Sequence, residues 1–126
     1  MIRGTVTARN EAVVRVRVGG PNDASTELDV LVDTGCSSSM LLPRETVSAL
    51  GHKRHAKSKA ILADGSKRRF DVYRADVEWN GDWLSIFVSS IGDEPVIGMR
   101  LLEGHRLVAD IEPGGEVSII PFEEMP

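Results

Sequence analysis

A chain of 126 residues with 27% charged and 41% hydrophobic side chains has the make-up of one globular domain, spanning 1–126, rather than of a disordered or fibrous polypeptide. Its net charge of −4 argues against nucleic acid as a partner, because neutralising phosphates takes a basic surface. With Cys36 as the only cysteine and no apolar run of signal-peptide or membrane-span length, neither a disulfide scaffold nor a membrane partner is expected, and the setting that fits is a reducing, cytoplasmic one.

Residues 2–8 and 12–18 alternate apolar side chains with arginine or threonine and read as two strands, joined by the short polar link Asn10-Glu11 into a hairpin. The stretch 19–23, Gly-Gly-Pro-Asn-Asp, is a loop by composition. Leu28, Val30 and Val32 then alternate with Glu27 and Asp29, the pattern of a half-buried strand, which runs straight into Asp33-Thr34-Gly35. A carboxylate at the end of such a strand is expected to be poorly hydrated, and buried carboxylates persist only when paired or hydrogen-bonded. Thr34 brings a hydroxyl that both donates and accepts, and Gly35 permits close backbone approach or a positive φ. A second apolar run, Met40-Leu41-Leu42, follows, and 43–51 starts with proline and stops at glycine, the asymmetry of a short helix.

Residues 52–59 are basic and show no clear period. The apolar lead-in at 60–62 meets Ala63-Asp64-Gly65-Ser66, and Asp-Gly between strand-like runs signals a tight hairpin. From Phe70 a long strand is expected whose apolar phase changes, with Phe70 and Val72 on one face and Tyr73, Ala75, Val77 and Trp79 on the other. Such a change implies a bulge or an arm leaving the sheet. Asn80-Gly81 is a second hairpin turn, and 83–88 returns with apolar residues on both faces. Val96-Ile97-Gly98 precedes a single helical turn at 99–103, and strands at 106–111 and 116–120 flank Pro113-Gly114-Gly115. Many short strands with regularly spaced turns and one or two short helices predict an all-β, closed barrel.

Four features stand in order here: the strand and Asp33-Thr34-Gly35, the short helix after the second apolar run, the Ala63-Asp64-Gly65-Ser66 hairpin, and Val96-Ile97-Gly98 with the turn Met99-Arg100-Leu101-Leu102. Together they resemble the retropepsin-like, or retroviral-type, aspartic proteases, and especially their small bacterial single-domain members. The resemblance spans nearly the whole chain. It implies an acid-protease barrel in which Asp33 is the catalytic aspartate, Thr34 links two halves across a symmetry axis, and Gly35 shapes the loop. It further implies that residues 63–66 form a flap, with Asp64 and Gly65 at its tip over bound peptide, while Val96, Ile97 and Gly98 pack beside the catalytic loop. Cysteine at position 36 departs from the alanine or serine common in relatives.

Hydrolysis by carboxylates takes two of them, one acting as base and one as acid. The chain holds a single Asp-Thr-Gly, so the dyad requires a homodimer, with peptide or protein as substrate and no metal or organic cofactor. The rival reading is a catalytically silent peptide-binding or dimerisation module on the same barrel. Its cue would be loss of Asp33, Thr34 or Gly35, and all three are present. His52 and His55 form an H-x-x-H without further ligand partners, and Cys36 has no histidine that the sequence places beside it, so both read as structural. The basic residues around the hairpin read first as a solvated face, and second as an attraction for acidic peptide. Ile2, Val6, Val117 and Ile119 alternate as residues of a terminal interface sheet would.

Overall fold

Strand alternation dominates the computed structural model, which describes residues 1–61 and 63–124; Leu62, the last residue of the 60–62 lead-in, lies outside the described residues. In chain order the strands are β1 (Ile2–Val6), β2 (Ala12–Gly19), β3 (Ser25–Val32), β4 (Met40–Leu42), β5 (Arg54–Ile61), β6 (Lys67–Trp79), β7 (Asp82–Ser90), β8 (Val96–Ile97), β9 (His105–Ala109) and β10 (Glu116–Pro121). Two short helices interrupt them, α1 (Arg44–Leu50) and α2 (Met99–Leu102).

All ten strands belong to one sheet in the order β5-β6-β7-β4-β8-β3-β2-β1-β10-β9. The sheet closes because one edge of β2 is shared. At its start Ala12, Val13 and Val14 pair with β1, and at its end Val18 and Gly19 pair with Val77 and Asp76 of β6. Strands β2, β3, β8, β4, β7 and β6 therefore form a ring, which is the expected closed barrel. Most pairings are antiparallel; β3 with β8 and β4 with β7 are parallel. The interior is filled by the inward members of each alternation, including Val14, Val16, Val18, Val30, Met40, Leu42, Val77, Val88 and Ile97, all nearly or fully buried.

Local chemistry accounts for the turns. Pro43 precedes α1, and Gly51 ends it at φ +74°, its N–H donating to the Ser48 carbonyl. Val47 and Leu50, three residues apart, are the buried pair of that helix. Asn80 and Gly81 both take positive φ, +53° and +88°, as a two-residue hairpin whose twist matches its strands requires.

Two readings are sharpened and one expectation is corrected. The segment at 52–59, which shows no clear period, is mostly β5, paired with β6 from Arg54 to Ile61. Its pattern was illegible because nearly every residue of β5 is exposed on both faces, so nothing selects for alternation. The phase change in β6 marks an arm: β7 pairs only from Asp71 onward, leaving Lys67 to Phe70 held by β5 alone. The one register irregularity lies in β5, between Arg54 and Ala56, and β6 runs against β7 without a shift. Finally, Val6, Val117 and Ile119 belong to this chain's own core and Ile2 packs against it. The alternation there is real, but its apolar phase faces inward, so these four side chains are not an outward-facing interface.

Candidate active site

Asp33 sits where β3 leaves the barrel wall. Leu31 and Val32 are in parallel register with Val96 and Ile97, and the first residue beyond the strand continues the ladder, the Asp33 N–H donating to the Ile97 carbonyl at 3.0 Å. The chain then turns sharply. The Cys36 N–H donates to the Asp33 carbonyl at 3.1 Å, and the Gly35 N–H donates to Asp33 Oδ1 at 2.8 Å. An aspartate accepting from the amide two residues on is the local bond that makes Asp favourable in turns. It also fixes the carboxylate's rotamer relative to the loop.

The other wall of the loop is the segment after β8. The Gly98 N–H donates to the Ser39 carbonyl at 3.1 Å and the Met99 N–H to the Cys36 carbonyl at 2.7 Å. Three backbone hydrogen bonds, from Asp33, Gly98 and Met99, thus clamp residues 33–39 to 97–99. Gly98 is irreplaceable on space alone: a Cβ there would lie 2.2 Å from the Ser38 carbonyl oxygen and 2.9 Å from Cys36 Sγ. The side chain of Cys36 is half-buried, with its Sγ close against Gly98. Of the expected site residues, Asp33, Thr34 and Gly35 are therefore brought together with Val96, Ile97 and Gly98.

The hydration of Asp33 differs from expectation. Asp33, Thr34 and Gly35 are all exposed in the single chain. The strand that carries them is half-buried, but the loop itself stands on the outer surface, so a dry carboxylate requires a second surface laid over it. Thr34 also borders a cavity of about 260 Å³ whose other walls include Met99, Leu102, His105 and Leu107.

Ala63, Asp64, Gly65 and Ser66 form the turn joining β5 to β6, and all four are exposed. Asp64 repeats the device seen at Asp33: its Oδ1 accepts from the Ser66 N–H at 2.9 Å and from the Ser66 hydroxyl at 2.6 Å. These bonds hold the Asp64 carboxyl below its usual range, the hydroxyl bond contributing most. Gly65 takes φ +83°. Among the described residues no strand pairing or hydrogen bond links this turn to the Asp33 loop. The structure therefore supplies the arm and its tip without joining them to the loop.

His52 and His55 do not converge. The ring Nε2 of His52 is 2.8 Å from the Gly19 carbonyl, whereas the His55 ring packs against Phe87 with centroids 5.0 Å apart. The clamp by Ser39 and Cys36 carbonyls is the part that sequence reasoning missed. Its only sequence signal is Gly98 following two buried apolar residues.

No protein-family model and no curated protein matches the sequence. Solved structures do. A retropepsin-like aspartic protease from Rickettsia conorii superposes with a TM-score of 0.58 at 16% identity, over 94% of this chain and 89% of that one. The EIAV protease, complexed with an inhibitor, gives 0.51 at 23% identity over 72% and 84% of the two chains. The chain has the retropepsin-like fold. The simian foamy virus protease, at 12% identity and a TM-score of 0.50 over 70% and 90% of the two chains, shares it as well. At such identities the likeness is one of architecture, and within the retropepsin-like frame the chemistry rests on this chain's own residues.

Proposed function

We propose that residues 1–126 act as one retropepsin-like aspartic endopeptidase domain, a cytoplasmic hydrolase that cleaves peptide bonds as a homodimer. The observation that carries this reading is the state of Asp33: its carboxylate is oriented by the Gly35 amide, its backbone is clamped to residues 97–99, and yet it lies exposed with no second acid in the motif. A rigid loop presenting a single carboxylate outward is what a half-site needs. In the dimer Asp33 of each chain meets its copy at the two-fold axis, and Thr34 beside it bonds across that axis.

Two carboxylates about 3 Å apart, as in aspartic proteases generally, do not both ionise readily and share a proton. The ionised one takes a proton from water as that water attacks the scissile carbonyl. The protonated one gives its proton to the carbonyl oxygen. On collapse of the resulting gem-diol it takes a proton back from one hydroxyl, while the carboxyl that gained water's proton gives it to the amide nitrogen, the C–N bond breaks and the nitrogen leaves as an amine. Covering the loop with a second chain and with the 63–66 flaps excludes bulk water and strengthens these interactions. The EIAV protease, complexed with an inhibitor, supports a ligand-binding site on the same fold.

Digestion of a proteome-derived peptide library by wild-type protein and by Asp33→Asn, each with and without a pepstatin-type inhibitor, tests the proposal. Cleavage by the wild type alone, blocked by the inhibitor, is the expected result. Equal cleavage by both proteins assigns the chemistry to another residue, and no cleavage by either leaves a peptide-binding module.

A further inference from the structure

The arm formed by β5 and β6 has two unlike faces. In antiparallel strands residues directly opposite share a face, so the register puts Lys57 with Asp71, Lys59 with Arg69 and Ile61 with Lys67 on one side. The other side carries Ala56 with Val72, Ser58 with Phe70 and Ala60 with Arg68. One face is largely apolar, with Arg68 as its one cation, and the other carries four cations beside Asp71 and Ile61.

The cationic face is costly as built. Lys59 and Arg69 are directly opposed, with Lys57 and Lys67 as diagonal neighbours, and like charges in such register repel. Within the paired residues of this face Asp71 is the one acid, and among the described residues it pairs at 4.0 Å with Arg54, while Lys57, Lys59, Lys67 and Arg69 form no ion pair. Seven of the fifteen Lys and Arg of the chain lie in residues 53–69, which hold one acid, Asp64, although the whole chain is at −4. Charge is thus segregated: a basic arm projects from an acidic body. At its root the arm borders, through Lys57, Arg69 and Phe70, a cleft of about 540 Å³ whose other walls carry both signs of charge, Arg44 beside Glu45 and Asp93.

We propose that the cationic face of the β5–β6 arm, centred on Lys59, Lys67 and Arg69, is an exosite that captures an acidic segment of the protein substrate away from the cleaved bond. This rests on the reading of the chain as a protease whose arm closes over substrate. The largely apolar face is the one suited to lie on peptide, which leaves the charged face free for a more distant part of the same molecule. An acidic segment relieves the Lys59–Arg69 repulsion and gains from a field that the net negative body does not otherwise offer. Because the contact lies off the reacting atoms, it acts on capture and not on the chemical step.

The test uses two peptides with the same cleaved core, one carrying an appended run of six glutamates and one a neutral run. Binding is measured by fluorescence anisotropy to the Asp33→Asn protein, so that no cleavage is needed, and kinetics are measured with the active one. The acidic peptide is expected to bind more tightly, with an advantage that fades at high salt as screening shortens to a few ångströms. The double variant Lys59→Glu/Arg69→Glu is expected to lose roughly tenfold in affinity for the acidic peptide alone, as two surface charges reversed in sign should give. In the active protein the loss appears in KM with kcat retained, and the neutral peptide is unaffected. Equal binding of the two peptides overturns the proposal. So does preference for a single-stranded oligonucleotide of equal charge, or a charge-dependent self-association that consumes the face. If anisotropy shows the preference but neither peptide is cleaved, the exosite stands as a binding face and the protease reading fails.

Discussion

Asp33 makes its sharpest prediction through what asparagine preserves. The Asn Oδ1 still accepts from the Gly35 N–H, now at 2.8 Å from Asp33 Oδ1, so the loop keeps its shape while the ionisable group is gone. Asp33→Asn is therefore expected to melt at the wild-type temperature within a few degrees and to lose at least a hundredfold in peptidase rate, on the order of one general acid–base contribution. Thermal melting and a fluorogenic peptide assay measure the two halves, and a large fall in melting temperature would show that the carboxylate is structural. Gly98→Ala should cost stability as well as activity. A methyl 2.2 Å from the Ser38 carbonyl oxygen has nowhere to go, and forcing such overpacking costs typically about 1–3 kcal/mol. Urea titration is expected to show that loss together with lower activity, since the displaced Cys36–Ser39 segment carries the loop.

The elements were unequally legible. Where one face is buried, sequence alternation located the strand: Val30 is fully buried and Asp29 exposed, and 27–32 was readable for that reason. The turn at Asn80-Gly81 was readable because only residues tolerant of positive φ serve there. Strand β5 was not readable, because a two-sided exposed arm imposes no period. The phase of the terminal strands was ambiguous for another reason. Alternation in Ile2, Val6, Val117 and Ile119 reveals that one face is apolar, but not whether it meets the chain's own core or a partner. At the site, Asp-Thr-Gly could be read directly, but its clamp could not, because backbone carbonyls of Cys36 and Ser39 leave no mark in a sequence.

The arm's turn carries an element-scale prediction with a definite sign. Asp64 is held below the usual carboxylate range by the Ser66 hydroxyl first and the Ser66 N–H second. A depressed folded-state value means that the turn gains support from the ionised form above the ordinary aspartate pKa, and that this support is lost as pH falls through the depressed value. Ser66→Ala removes the larger cause and keeps the amide. The Asp64 carboxyl carbon, followed by NMR, should then titrate at higher pH than in wild type, so that the turn loosens earlier on acidification. An unchanged titration would mean that the hydroxyl bond is not formed in solution.

At the scale of the whole molecule, the exposed loop and the single motif converge on stoichiometry. The chain's accessible surface is 7961 Å², and a standard interface removes about 800 Å² per partner, a tenth of it. The surface offers apolar material outside the core: Met99, which follows the clamp, is 50% exposed, and Val108 and Phe122 are 46% and 61% exposed. If the proposed dimer has an interface of that size, it is concentration-dependent, and activity per chain should fall on dilution as mass action dissociates it. Mixing sharpens the test. When wild type is held constant and an equal amount of Asp33→Asn is added, random pairing leaves half of the wild-type chains in dimers with only one catalytic carboxylate. If the reaction needs both, activity falls to about half at concentrations that keep the dimer intact. An enzyme that works as a monomer shows no change, because the inert chain has nothing to withhold. Sedimentation of the same mixtures fixes the dimer fraction, so a loss of activity without dimerisation would point to competition for substrate by the variant, and undiminished activity with full dimerisation would remove the shared dyad.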